Sequence, residues 1–555
     1  MSPLENTDPV ETGIQTLPDE LLGLTFSMNG DMFSDNGALR DTRYTSQVCH
    51  RWRQILLERP SVWGKLIDLN VFCKATVKEE WGNEVLRRSQ GALLWIRGSV
   101  IIGDLHWSQV FFQHLLHKHW TRIQKLVVDL PPVDQRYLTW QTFLQPAPSL
   151  ETFQIRCYNY HHRKGLDFHR RWRASSEEGL LFFRLPQDRP LGLFSNDAPS
   201  LRNFEATHIH LPLSAPWLSN LRSVSFSSPI TLRKAFQAIQ QMPLLECLGM
   251  EELRHTPDEH ILPHLTFTRL TTITLSDFLG VCPQILNHIT PAAGCSLSFT
   301  ALDSTADRLT NQILLDASDT LSKYLKSFYQ THSVTEVALH CGSKRFSFTG
   351  RSSRFREGTF FKVSFPLGRE TFTSTIFDKD KLTAFNTLIS VFTRASASFP
   401  FVRTLDLHLD VPTLCTSFLS ASHFSYVEVF YTEESTLMTI LKLKGQEHDS
   451  PSNAFPFPAL RTLRLTEIQG PDTIKEARIS PFILFLKTCR ARGHPIGVLE
   501  LYRTEENREL GYLLPFGRIL DTEMVGLMLK VVSDGRKSRE VVCSGANAQR
   551  LFITY

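Results

Sequence analysis

Three histidines, His114, His117 and His119, crowd the stretch just before Trp120. Imidazoles so spaced are zinc-ligand types, but a metal set needs further donors, and no Cys or carboxylate stands close enough to complete one. The run H-L-L-H-K-H instead suits an exposed helix end, where cationic groups meet the negative pole of the helix dipole. A second constellation mixes guanidinium, imidazole and indole: His162, Arg163, Arg170, Arg171 and Trp172. Such a mixture can grip phosphate or an acidic peptide. Its plainer reading is a solvated loop, with contact to a target protein or a nucleic acid as the sharper alternative. Asp378-Lys379-Asp380 opens like a calcium loop, yet Thr383 stands where glycine is required and Ile389 where the bidentate Glu belongs, so calcium is rejected. The chain carries no Walker loop, dinucleotide glycine motif, H-E-x-x-H or nucleophile elbow. No catalytic residue, metal or cofactor is expected, and the chain reads as a non-enzymatic protein that holds another.

Composition narrows the classes further. Hydrophobic residues make up 42% of 555 and charged residues 21%, enough for a large core and against global disorder. A net charge of +4 gives no general pull toward nucleic acid or membrane. Phe outnumbers Tyr 39 to 11, and a ring without a polar tip points to core packing rather than base stacking. The ten cysteines are scattered without any C-x-x-C, as in a reduced compartment. The opening residues are polar and acidic, with no apolar segment of signal-peptide type, and no run approaches ~18 apolar residues. The expectation is a soluble cytoplasmic or nuclear protein without a membrane anchor.

The elements that would position a site begin after a disordered leader at 1–13. Thr16-Leu17-Pro18-Asp19 has capping-box spacing, with Asp in place of Glu, and Pro18 suits a first helical turn. Leu21, Leu22, Thr25 and Phe26 are expected on one face of that helix. Residues 29–37 break the pattern with two Gly, two Asn and two Asp. A second helix is expected to carry Val48, Trp52, Ile55 and Leu56 as one apolar stripe before Pro60 stops it. Short strands then alternate with helices: a strand near 66–69, a helix at 81–89, a strand at 93–96, a helix at 108–119 and a strand at 123–128. That rhythm predicts an α/β fold with parallel strands and outer helices.

A recurring frame, L-x-x-L-x-L, runs through the body. It appears at Leu150, Leu201, Leu221, Leu245, Leu270, Val402 and Leu460, and from Leu201 to Leu270 the starts fall 20, 24 and 25 residues apart. The last two apolar positions alternate along a strand, and the first seats the preceding turn on the same core. One unit cannot bury its face alone, whereas a stack can. The frame loses register between about 280 and 400, where 350–377 reads as β-rich insertion and 380–394 as a helix.

The N-terminal residues resemble an F-box: Leu17-Pro18-Asp19-Glu20-Leu21-Leu22, then Val48-Cys49-His50-Arg51-Trp52-Arg53, then Trp63 after Pro60. Leu86-Arg-Arg-Ser89 and Trp120-Thr-Arg122-Ile123 are similar to segments that follow the F-box in large fungal, basidiomycete-type F-box families. The close likeness covers roughly 14–128, and residues 28–43 depart from it as a longer loop. The resemblance implies an F-box at 14–70 and an irregular leucine-rich-repeat-like body at 71–555, with its β-rich insertion near 340–380. It implies a Skp-type adaptor as partner, leading to a cullin, a RING subunit and an E2 enzyme, with the body binding a target for ubiquitination. Leu17, Pro18, Glu20, Leu21 and Leu22 would lie at or beside the adaptor interface. Val48 and Trp52 would either join them or pack inside the bundle. A scaffold acting outside ubiquitination, or a nucleic-acid binder working through 161–173, are the alternatives.

Overall fold

The structure is a computed structural model describing residues 14–72, 79–100, 107–130, 140–157, 192–206, 213–227, 230–253, 262–302, 310–342, 345–352, 359–366, 387–388, 390–392, 401–409, 424–446, 457–466, 480–503, 514–533 and 539–545. The chain is mixed α/β and divides into two compact units, Met1–Leu262 and Pro263–Tyr555. No helix among the described residues is long and apolar enough to cross a membrane.

Helices open the first unit: α1 (Asp19–Asn29), α2 (Ala38–Val48), α3 (His50–Leu57) and α4 (Pro60–Gly64). The N-cap of α1 falls at Pro18 rather than at the expected Thr16. Pro18 occupies the N-cap of α1 without a side-chain cap, and the Asp19 carboxylate accepts from Arg51 Nε at 2.8 Å instead. The expected Val48–Leu56 helix is two helices. Cys49 is extended (φ −155°, ψ 168°), and its Sγ accepts the Trp52 N–H at 3.5 Å, so α3 starts afresh and Val48 belongs to α2. The expected long loop over 28–43 is shorter, because α2 already begins at Ala38.

Strands β1 (Ile67–Asp68), β2 (Leu94–Ser99), β3 (Ile123–Leu130), β4 (Thr152–Cys157), β5 (Asn203–Ala206), β6 (Ser223–Ser227) and β7 (Cys247–Glu251) pair in sequence order, all parallel. Between them lie α5 (Leu69–Phe72), α6 (Glu79–Ser89), α7 (Trp107–His119) and a helix at Leu232–Ile239. The frame explains the register. Ile67, Ile96, Leu126, Phe153, Phe204, Val224 and Leu248 sit opposite one another from strand to strand, and all are buried. Gly98 closes β2 at φ +119°, where a Cβ would stand 2.8 Å from the Asn70 nitrogen.

The second unit holds β8 (Leu265–Thr266), β9 (Thr272–Asp277), β10 (Ile289–Thr290), β11 (Ser296–Ala301), β12 (Glu336–Cys341), β13 (Arg345–Arg351), β14 (Phe360–Pro366), β15 (Thr404–Leu409), β16 (Val429–Thr432), β17 (Thr462–Leu465), β18 (Val498–Arg503), β19 (Met528–Ser533) and β20 (Arg539–Val542). Its main run of pairings is β9–β11–β14–β13–β12–β15–β16–β17–β18–β19–β20, and β8 pairs with β10. The β-rich insertion expected near 340–380 is therefore no appendage. Its hairpin β13–β14 lies within the sheet, between β11 and β12, with Phe346, Phe348, Phe361 and Val363 buried. Of the helix expected at 380–394, residues 387–388 and 390–392 are described, and they are helical. A 21-residue helix, Asn311–Thr331, was not foreseen; Thr310 caps it, and Leu314, Ala317, Leu321, Leu325 and Phe328 form its buried stripe.

Trp63 joins the N-terminal helices to α6. Its indole is fully buried, donates to the Leu56 carbonyl at 2.8 Å, meets Trp81 of α6 edge-on at 6.5 Å and lies 4.5 Å beneath the Arg88 guanidinium. Gly64 beside it admits the Leu93 carbonyl into the space a Cβ would fill. Trp63→Ala is expected to cost about 3–5 kcal/mol, and Trp63→Phe roughly 1–3 kcal/mol for the smaller ring and the carbonyl left without its donor. Urea denaturation of the two variants beside the parent measures both.

Candidate functional site

Helix α1 has two apolar faces. At 100° per residue, Leu22, Gly23 and Phe26 fall on one side and are buried, while Leu21, Leu24 and Met28 recur at i, i+3 and i+7 on the other and are exposed. Met28 is 72% exposed and Leu21 50%, against 1% for Leu22. Asp19 and Glu20 in the first turn favour helix initiation by meeting the positive end of the dipole. Gly30 ends the helix, its N–H bonding the Phe26 carbonyl at 2.9 Å.

Neighbouring helices hold this element in place. Trp52 packs its ring against Phe26 at 5.2 Å and 59°. Arg51 donates to Asp19 and to the Leu17 carbonyl, tying the start of α3 to the start of α1. Gly23, having no side chain, leaves room for the Arg59 guanidinium to lie on the α1 backbone. At the end of α2, Tyr44 and Val48 are one turn apart and both exposed, Val48 at 62%. Beside Tyr44 opens a cleft of about 1020 Å³ lined by charge and aromatic surface, including Arg43, Arg53, Trp81, Glu84 and Arg88. Hydrogen bonding from Arg87 holds the Glu84 carboxyl down to about 2 against modest desolvation, with Arg88 assisting, so Glu84 stays ionised in the cleft wall.

The expected contact residues therefore separate. Leu17, Pro18, Glu20, Leu21 and Val48 are exposed. Leu22, expected at the interface, is buried and supports the helix from within, because the 100° step from Leu21 carries it to the Phe26 side. The same geometry overturns the single face expected for Leu21, Leu22, Thr25 and Phe26: Leu21 and Thr25 are exposed. Trp52 is half-buried, and the contact it makes on Phe26 is internal packing. Leu24, Met28 and Tyr44 were missed, although the 21–24–28 spacing is readable once α1 is allowed apolar residues on both sides.

His114 and His119 lie on α7 with rings 5.8 Å apart, and His119 Nδ1 is 3.1 Å from Arg122 Nη1. The run ends α7 as expected, with His114, His117 and Lys118 exposed, while desolvation and then the Arg122 charge lower the pKa of the half-buried His119. His162, Arg163, Arg170, Arg171 and Trp172 lie outside the described residues, as do 378–380. A further polar cluster, His340, Asp406, His408 and Glu433, was not foreseen at all. Its signal was present as alternation: Asp406 and His408 are the outward positions between the buried Leu405, Leu407 and Leu409.

The two sides of α1 predict opposite mutational responses. Leu22→Ala should destabilise the fold by about 2–5 kcal/mol, whereas Leu21→Ala should stay within about 0.5 kcal/mol. Chemical denaturation distinguishes them. No known family model matches the chain, and no curated protein matches it.

Proposed function

We propose that this chain is the substrate-recognition adaptor of a Skp–cullin–F-box ubiquitin ligase, its residues 14–70 acting as an F-box and its repeat-framed body holding the target. One observation carries the reading: the exposed apolar stripe Leu21–Leu24–Met28 on a helix whose opposite side is fully engaged. Apolar side chains held out by a braced helix are a docking surface that water does not stabilise. Leu17 and Pro18 extend the stripe at its N-terminal end, and Arg51 ties the start of α3 to that end. Leu17, Pro18 and Leu21 are among the residues for which the resemblance to F-box sequences implies a Skp-type adaptor, and Leu24 and Met28 extend that set.

In this reading the body acts by proximity. It keeps a target lysine near the E2 thioester, raising its effective concentration, and the bond-making belongs to the partner enzymes. Side chains that the strands turn away from the core would recognise the target. In the second unit one such row runs in register as Asp406, Tyr431, Arg464, Glu500 and Lys530. Arg464 pairs with Glu500 and covers the Tyr431 ring at 4.5 Å, an ordered polar surface suited to a protein partner.

The test is capture of a recombinant Skp-type adaptor by the full chain and by a Leu21→Ser, Met28→Ser variant. A Tyr426→Ser, Val542→Ser variant, altered at exposed apolar positions of the second unit, is the control. Losing two buried apolar contacts should weaken binding roughly 100-fold, while the control binds like the parent. Equal recovery of the adaptor by all three proteins overturns the reading. Addition of cullin to the captured pair should recover a ternary complex, and its exclusion would reduce the assignment to a scaffold.

A further inference from the structure

Strands β12 and β15 place two imidazoles side by side. His340 and His408 are register partners, and Asp406, two residues before His408, shares their face, because Val337, Leu339, Cys341, Leu405, Leu407 and Leu409 fill the other. His340 Nε2 lies 3.0 Å from Asp406 Oδ2, and His408 Nε2 lies 2.8 Å from Asp406 Oδ1. One ligand atom from each of the three residues falls within 4.8 Å of the others. A tetrahedral ion with bonds of about 2.0 Å needs its ligand atoms about 3.3 Å apart, so small side-chain adjustments would seat one.

The hydrogen bonding supplies an independent argument. His408 Nδ1 is 2.6 Å from Glu433 Oε1, just beyond the end of β16, and Ser435 Oγ donates to the other Glu433 oxygen at 3.5 Å. With Nδ1 engaged by Glu433, Nε2 is the His408 nitrogen left on the Asp406 side to serve as a ligand. Despite the 2.8 Å separation, the buried Asp406 Oδ1 has no aligned hydrogen-bond donor. A ligating histidine whose other nitrogen donates to a carboxylate is the outer-shell arrangement that fixes tautomer and orientation at metal centres.

We propose that His340 Nε2, His408 Nε2 and Asp406 bind a divalent transition ion of the zinc class, with Glu433 as the orienting partner of His408. Two imidazoles and one carboxylate favour this class over magnesium or calcium, which take oxygen donors. The rings are partly open to solvent, with side-chain exposures of 45% for His340 and 17% for His408, so an ion can enter. Three protein ligands leave one position outward, free for water or an anionic side chain of a bound protein. The proposal stands on the donor set, apart from the adaptor reading.

Zinc and cobalt titrations of the full chain, stripped with chelator, test it against a His340→Ala, His408→Ala variant and against Glu433→Gln. The parent should bind one more equivalent of zinc than the double variant, and that equivalent should weaken about 10- to 100-fold in Glu433→Gln. Its cobalt form should show ligand-field bands without thiolate charge transfer, which separates it from sites built on cysteine. Zinc should raise the melting temperature of the parent and not of the double variant, whose ion-free melting confirms that it folds. Equal stoichiometry and affinity in parent and double variant, or a thiolate band on the distinguishing equivalent, overturns the proposal. Unchanged adaptor capture by the double variant keeps the two proposals separate.

Discussion

Everything in the described body depends on strands that can bury one face only by lying in register beside another. A strand of four to six residues offers two or three inward side chains, too little apolar area to order its own backbone. Neighbouring strands resolve this by matching inward positions. In the second unit Val337, Leu405, Phe430, Leu463, Leu499 and Leu529 form one such series, and a slip of one residue would turn every one of them outward. Even the polar member of the adjacent series obeys the rule. Thr432 sits between Leu407 and Leu465, fully buried, and gives its hydroxyl proton to the Leu407 carbonyl at 2.8 Å.

In the first unit the N-terminal helices are fastened to that unit's own ladder by a few polar contacts at β1 and β2. Asp68 of β1 pairs with Arg97 of β2 at 2.8 Å, largely shielded from solvent, and accepts the Asn70 N–H at 3.0 Å. Arg97 also donates to the Met32 carbonyl in the turn between α1 and α2. One guanidinium thus connects that turn to the sheet, while Trp63 fills the apolar part of the junction. A braced α1 keeps its outer stripe exposed because its inner residues are already committed.

Both functional proposals fall where the packing rule is silent. The core positions of the frame are interchangeable among Leu, Ile, Val and Phe. Chemistry is left to residues the rule turns outward, such as Leu21 and Met28 on α1, or His340, Asp406 and His408 on the sheet. The apolar stripe suits a protein surface; the imidazole–carboxylate set suits an ion. Each uses a scaffold whose rigidity comes from the opposite face.

Short-range pattern was enough to place most of the early elements. The alternating residues of β2, β3 and β4, the helices α6 and α7, and the frame at Leu201, Leu221, Leu245, Val402 and Leu460 were legible because local periodicity and turn residues record which side of each element is buried. The same frame at Ile123, Val334 and Ile496 was overlooked, although Val and Ile fill the same space as Leu, as Val402 does. Other features were decided in three dimensions. A helix with apolar residues on both sides does not say which side turns inward, so Leu21 and Leu22 were separable only once Phe26 met Trp52. The division of α2 from α3 rests on the extended backbone of Cys49. His340 and His408 lie 68 residues apart in the chain, and no spacing rule links them. Parallel pairing of β12 with β15 brings them together, because hydrogen-bonded register, unlike periodicity, is a relation between distant segments.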